Sequence, residues 1–243
     1  MKLVWNESLG QARQMLASWT TPVASTTGIA SVSEDTRTVS LNVLAATGFR
    51  RSFDFQSSTE ASKPSNTAAS YRDALATVLD NVILLMLLPR RYLSLPIFPK
   101  SLQRIGKAAD EFQQHMEQML EEETTAYKQG MQGAGGLMTS FVRASNTHEA
   151  KTGSSQRQGL SVEEVYGNMF VINFAGHDTT ANTLAFSMYL LATAPEVQEW
   201  LAEEVRGALP NNDDWEYSQL CPKLTRCRAV LVSAFFHYPH NEY

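Results

Sequence analysis

The sequence predicts a mainly α fold, on three observations. No segment sustains the apolar–polar alternation of a half-buried strand. Several long segments instead repeat apolar side chains at helical spacing. The stretch from Ser161 to Ala194 contains no proline and opens on a capping-box pattern, Ser161-x-x-Glu164. One helix can therefore run through it for about 48 Å, enough to cross a domain.

Taken in chain order, Trp5, Leu9, Ala12, Leu16 and Trp19 share a helical face, which predicts a first helix from Leu3 to Trp19. A second apolar segment, TVSLNVLAATGFRRSFDF, follows Asp35, with Gly48 expected to close its helix. Residues 56–66, QSSTEASKPSN, read as a solvated loop. Tyr71 to Leu88 predicts one apolar helix stopped by Pro89, and LSLPIFPK an extended apolar connector. From Ser101 onward, Ile105, Ala108, Phe112, Met116, Met119 and Leu120 fall on one face of an amphipathic helix. Residues 130–159 are rich in Gly, Ser and Gln and read as a connector, with an apolar island at Leu137 to Val142. Pro195 begins a further helix after the central one, and Leu224 to Phe236 predicts the last.

Bulk properties exclude several classes of function. The 243 residues carry 20 basic against 25 acidic side chains, a net charge of -5, with no basic block, so nucleic acid is not an expected partner. Cys221 and Cys227 fit neither a disulfide framework nor a CxxC pair and read as reduced thiols. The N-terminus lacks the apolar core of a signal peptide. The longest apolar run, Val82 to Leu88, falls far short of the ~20 residues a membrane-spanning helix needs.

The central helix carries an anomaly. Residues 170–186 read FVINFAGHDTTANTLAF, placing Gly176, His177, Asp178, Thr179 and Thr180 inside an apolar run. A helix-weakening glycine, an acid and two β-branched hydroxyls do not stabilise a helix interior, so the pattern points to a working site. Threonine hydroxyls bonded back to carbonyls four residues earlier would bend the helix. Beside Gly176 such a kink would open a groove in which a hydroxyl and a carboxylate could deliver protons to a bound reactant.

The hexapeptide Ala175 to Thr180, A-G-H-D-T-T, resembles at every position the [AG]-G-x-[DE]-T-[TS] motif in the oxygen-binding helix of the cytochrome P450 family. ANTLAFSMYLLATAPEVQEWLAEEV and LCPKLTRC downstream, and LVWNESLGQARQMLASW, LNVLAATGFRRSFDF and PKSLQRIGKAADEFQQHMEQML upstream, resemble further segments in family order. They are closest to fungal-type microsomal members, and the resemblance covers Leu3 to Leu231. It implies a partial cytochrome P450 fold with a long central kinked helix, residues 1–243 forming a single incomplete domain. It also implies haem as cofactor and O2- and NADPH-dependent oxidation of a small hydrophobic organic substrate. The implied partner is NADPH-cytochrome P450 reductase, and the implied setting is membrane-associated secondary metabolism at the endoplasmic reticulum. By the same resemblance Asp178 and Thr179 would be catalytic, Ala175, Gly176 and Thr180 would line the cofactor, and Phe174 would face substrate. Tyr71 to Met119 would roof the substrate pocket.

Three family features are expected and not found. Neither Cys221, in QLCPKLT, nor Cys227, in LTRCRAV, lies in the F-x-x-G-x-R-x-C-x-G loop that supplies the axial thiolate. The W-x-x-x-R element that would precede LVWNESL is missing. Ser233 and Phe236 stand where an E-x-x-R pair would. The resemblance stops after Leu231. Because Val232-Ser233 can be encoded by GTAAGT, residues 232–243 read as a non-homologous tail from intron read-through. The expected consequence is a catalytically inactive chain of poor solubility, with a non-catalytic helical protein that binds a hydrophobic ligand or partner as the alternative. His177 and Asp178 point about 100° apart on a helix, so no shared metal is expected there. His237 and His240 form an HxxH read as exposed tail, and Trp200 to Glu204 reads as one apolar anchor on a solvated helix.

Overall fold

The computed structural model describes residues 1–21, 28–58, 67–88, 90–93, 95, 97–130, 136–146, 160–209 and 215–236. Among them the helices are α1 (Lys2–Trp19), α2 (Val32–Phe49), α3 (Thr67–Asp80), α4 (Val82–Leu87), α5 (Arg90–Leu93), α6 (Lys100–Lys128), α7 (Leu137–Asn146), α8 (Val162–Thr193), α9 (Pro195–Ala208), α10 (Tyr217–Leu220) and α11 (Thr225–Phe236). A 3-10 turn, Cys221–Lys223, joins the last two, and no described residue lies in a strand. His237 and His240 fall outside the described residues.

Three predicted boundaries move, each for a local reason. α2 begins before Asp35, because the Ser31 hydroxyl accepts the Glu34 backbone N–H at 3.2 Å and caps the helix there. Gly48 lies inside α2. The left-handed residue at its end is Arg50, φ 58, and the N–H groups of Arg50 and Arg51 return to the Ala46 and Ala45 carbonyls. The glycine this corner needs is Gly136, φ 110, where a Cβ would come within 3.1 Å of the Thr47 carbonyl oxygen. The segment from Tyr71 to Leu88 is two helices, broken at Asn81. Its amide donates to the Thr77 carbonyl at 2.9 Å and its N–H turns to Val78, diverting the helical ladder. The connector after α5 turns rather than extends, with Leu95 N–H bonded to Tyr92 and Phe98 N–H to Leu95. The predicted capping box forms in full: Glu164 N–H donates to Ser161 Oγ at 3.2 Å, and Ser161 N–H to Glu164 Oε2 at 2.7 Å.

The chain divides into two compact units whose boundary passes through α2 and α8. One comprises residues 41–54 and 62–176. Its core is built from Leu41 and Ala45 of α2, Leu75, Val78 and Leu79 of α3, Phe112, Met116 and Met119 of α6, Met138 of α7, and Val165 and Met169 of α8. The α6 stripe is the predicted one, with Ala108, Phe112, Met116 and Met119 buried. Each such large side chain stabilises by about 1.5–3 kcal/mol on burial.

The other unit comprises residues 1–40, 55–61 and 177–243. It is joined by polar contacts to buried groups. Asp35, with no exposed surface, accepts from Trp19 Nε1 at 2.6 Å and from the Ser58 N–H at 2.7 Å. Gln14 Oε1 accepts the Phe55 N–H at 2.6 Å. Trp200 to Glu204 is more than an anchor on a solvated helix. Glu204 accepts from the Thr225 hydroxyl at 2.8 Å and from the N–H groups of Arg226 and Cys227 at 2.8 and 3.1 Å, capping α11 from α9. The Arg226 guanidinium lies 4.9 Å from the centre of the Trp200 ring.

Desolvation pushes the Glu204 carboxyl up, but the donors at the start of α11 outweigh it and hold the group at about 2 against an ordinary 4.5. A depressed carboxylate contributes stability that is present in full above the unfolded value and is lost as pH falls through the folded one. Glu204→Gln is expected to lower the melting temperature at neutral pH, with the gap from wild type closing as pH falls from 4.5 toward 2. A gap constant across that range would show that the cap is not what the carboxylate supplies.

Candidate functional site

α8 is 32 residues long and continuous through the Gly176 to Thr180 cluster. From Val165 to Ala185 its buried positions recur every fourth residue, Val165, Met169, Asn173, His177, Ala181 and Ala185, and Ser187 is buried beyond them. Four residues turn a helix about 40° past one revolution, so this buried line winds slowly around the rod. It leaves a ridge on which Val171, Phe174, Ala175 and Thr179 are exposed, with 42% of Phe174 open. Asp178 lies along the same ridge with a third of its side chain open, 33%. The structure thus brings Phe174, Ala175, Asp178 and Thr179 to one face. Gly176 and Thr180, one turn apart, lie on the neighbouring face, where Gly176 is half-buried and Thr180 exposed.

Under Gly176 the nearest side chain is Leu44 of α2, 3.7 Å from where a Cβ would stand, an ordinary contact distance. Back-bonding of polar side chains to earlier carbonyls does occur along α8: Asn173 to Met169, Thr183 to Thr179 and Ser187 to Thr183, each at 2.7 Å.

Two partners on α2 had not been read from the sequence. Ser40 Oγ donates to the His177 carbonyl oxygen at 2.9 Å in a buried contact. Arg37 Nη2 lies 3.4 Å from Asp178 Oδ1, an atom that is itself buried. His177 Nδ1 is also 3.4 Å from that oxygen. The signal for such partners lay in TVSLNVL, where Ser40 and Asn42 interrupt an apolar run. Polar side chains within a buried segment must find partners.

The donor set was tested against a metal-centred cofactor. Among the described residues no group of three His, Cys, Asp or Glu side chains is placed to hold a metal ion. Both cysteines are free thiols, half-buried. Burial pushes the Cys227 thiol up, and the Glu204 carboxylate beside it adds to the effect, so Cys227 is a poor source of thiolate. The ridge, by contrast, offers small, apolar and hydroxyl side chains suited to the face of a flat apolar group.

With that geometry in hand, comparisons with known proteins are informative. The sequence profile of the Cytochrome P450 family matches residues 7–228. The chain is 33% identical over 215 residues to Cytochrome P450 monooxygenase prx9 of Penicillium rubens, covering 84% of this chain and 35% of that protein. It is 26% identical over 205 residues to the phomenoic acid biosynthesis cluster cytochrome P450 monooxygenase of Leptosphaeria maculans, covering 80% of this chain and 34% of that protein. Among solved structures it resembles a cytochrome P450DA heme domain with a TM-score of 0.61 at 20% identity, covering 97% of this chain and 46% of that one. The chain spans about a third of the length of the curated relatives it matches.

The Leu44 contact separates two roles for Gly176. Since a Cβ there meets only ordinary contact, Gly176→Ala is expected to stabilise the chain by about 1 kcal/mol through helix propensity, seen as a higher urea midpoint. A lower midpoint would show that packing, rather than room on the neighbouring ridge, requires the glycine.

Proposed function

The chain belongs to the cytochrome P450 family, and from that premise we propose that it forms the distal wall of a haem-thiolate monooxygenase acting on a small hydrophobic substrate. The single observation that carries this reading is the uncovered ridge of α8, where the family's motif residues stand together. Haem, when bound by the whole protein, supplies the centre at which dioxygen is activated with electrons from NADPH through a reductase. On this chain Ala175 keeps side-chain bulk off the ridge, and Gly176 and Thr180 border it on the neighbouring face. Asp178 and Thr179 hold and pass a proton, the carboxylate drawing it from solvent and the Thr179 hydroxyl presenting it along the ridge.

Phe174 would meet substrate. An apolar cavity of about 260 Å³ within the unit of residues 41–54 and 62–176 supports a hydrophobic substrate class. Val78, Phe112, Met116, Tyr166 and Phe170 line it. The same cavity supports the second reading, binding of a hydrophobic ligand without oxidation. The name of the Leptosphaeria relative supports a place in secondary metabolism.

By themselves the 243 residues are catalytically inert on this reading, because neither Cys221 nor Cys227 stands in the F-x-x-G-x-R-x-C-x-G pattern of the family's axial ligand. The purified chain mixed with haem, reduced and exposed to CO is expected to lack the Soret band of thiolate ligation. Appearance of that band would overturn the inertness. Folded, haem-free protein that takes up a hydrophobic dye, with uptake lost when Phe112→Trp fills the cavity, would favour the second reading.

Membrane association is proposed on a separate observation. Ile83, Met86, Leu87 and Ile97 expose 72%, 75%, 74% and 83% of their surface, a density of open apolar side chains that marks an interaction surface. No helix among the described residues is long and apolar enough to cross a bilayer, so the contact would be interfacial. The chain is expected to float with liposomes, and Met86→Asp with Ile97→Asp to abolish it. Equal flotation of that double variant would place the contact elsewhere.

A further inference from the structure

We infer that Arg37 and His177 are positioning residues for the Asp178 carboxylate, an inference that rests on the reading of Asp178 as a proton carrier. Arg37 Nη2, reaching from α2, and His177 Nδ1, on the preceding residue of α8, each lie 3.4 Å from the same atom, Asp178 Oδ1. That oxygen is buried, while 33% of the Asp178 side chain stays open. The carboxylate is therefore turned with one oxygen drawn inward, leaving its open side on the ridge that carries Thr179.

A distance of 3.4 Å exceeds the roughly 2.7–2.9 Å of a fully formed charge-assisted hydrogen bond, so the two groups steer the carboxylate by charge and dipole. For His177 this fixes a tautomer. A neutral imidazole with its proton on Nδ1 attracts Oδ1, whereas a bare Nδ1 would set two lone pairs against each other. His177 is 3% exposed, and the Ser40 hydroxyl donates to its backbone carbonyl at 2.9 Å, which fixes the main chain from which the imidazole projects. Arg37 and Ser40 stand three residues apart on α2, hence on one face of that helix. A single face of α2 thus grips both the backbone at His177 and the carboxylate next to it. An acid with free side-chain rotation would spend much of its time turned from Thr179. Held in this way, it keeps one oxygen available there.

The test uses the isotope-labelled 243-residue chain and NMR of two side chains. The Asp178 carboxyl carbon is assigned by its loss in Asp178→Asn, and the His177 ring nitrogens by their loss in His177→Gln. The expected result is a protonated Nδ1 on His177. Arg37→Gln should shift both the Asp178 carboxyl carbon and the His177 Nδ1–H signal, and Arg37→Lys, which keeps the charge and loses the fork, should restore part of the shift. An unprotonated Nδ1 overturns the inference. So do signals unmoved by Arg37→Gln in a chain whose amide spectrum stays dispersed. Should Arg37→Gln fail to fold, His177→Gln answers through the Asp178 carbon alone, which must move if the imidazole steers it. The proton-carrier reading fails on other grounds, by unchanged coupling of oxygen uptake to product in a haem-loaded, longer form carrying Asp178→Asn. That result would leave these resonances as they are.

Discussion

The structure depends on the need of α2 to satisfy polar groups that it buries. Asp35, Thr36, Ser40 and Asn42 are all buried on this one helix, between apolar neighbours such as Val39, Leu41 and Ala45. A buried polar group left without a partner costs on the order of 1–3 kcal/mol, so each of these must draw in a specific donor or acceptor. Asp35 draws in the Trp19 indole at the end of α1 and the backbone of Ser58. Ser40 takes a carbonyl of α8, and the Asn42 amide reaches the Asp54 carbonyl at 3.4 Å. Apolar packing alone tolerates sliding and rotation, whereas these bonds have one register. They settle which residues of α1, of the segment after α2 and of α8 stand against it.

The rotation of α8 follows from this. Ser40 bonded to His177, with Arg37 beside Asp178, sets His177 inward and so turns Phe174, Ala175 and Thr179 outward. A helix apolar on nearly every side is built to be covered on nearly every side. Here the winding buried line covers one flank only, and the open flank is the one that carries the family motif. The ridge is not an ordinary solvated helix face, since Val171 at 58% and Phe174 at 42% exposure are poor choices for water.

How far the sequence could be read depends on the range of the interaction involved. The α6 stripe and the reciprocal Ser161–Glu164 cap were legible because both are decided within a few residues of the same helix. The motif on α8 was legible because its spacing is helical arithmetic. Gly48 misled because a glycine near a helix end commonly closes it. Here the closing residue is Arg50, and the tight corner belongs to Gly136, far along the chain. Asn81 was missed because apolar residues resume at once on either side of the polar pair Asp80-Asn81, and the amide's bond to Thr77 is what shows the break. Arg37 and Ser40 were missed for the deeper reason that their partners are about 140 residues away, beyond any periodicity argument. What could have pointed to them is negative: serine and asparagine in a run that should have been wholly apolar.

These contacts also separate two requirements that a haem-thiolate site combines. The axial sulfur must come from a thiol made acidic by donors and positive charge, and Cys227 stands in the opposite environment, half-buried beside the Glu204 carboxylate that caps α11. The proton-carrying role proposed for Asp178 has no such need. Asp178 is held by an arginine and an imidazole, and the His177 carbonyl by a serine hydroxyl, all from protein groups alone. An acid oriented by protein contacts is preorganised, and preorganisation of this kind is what lets electrostatic groups act without reorganising during a reaction.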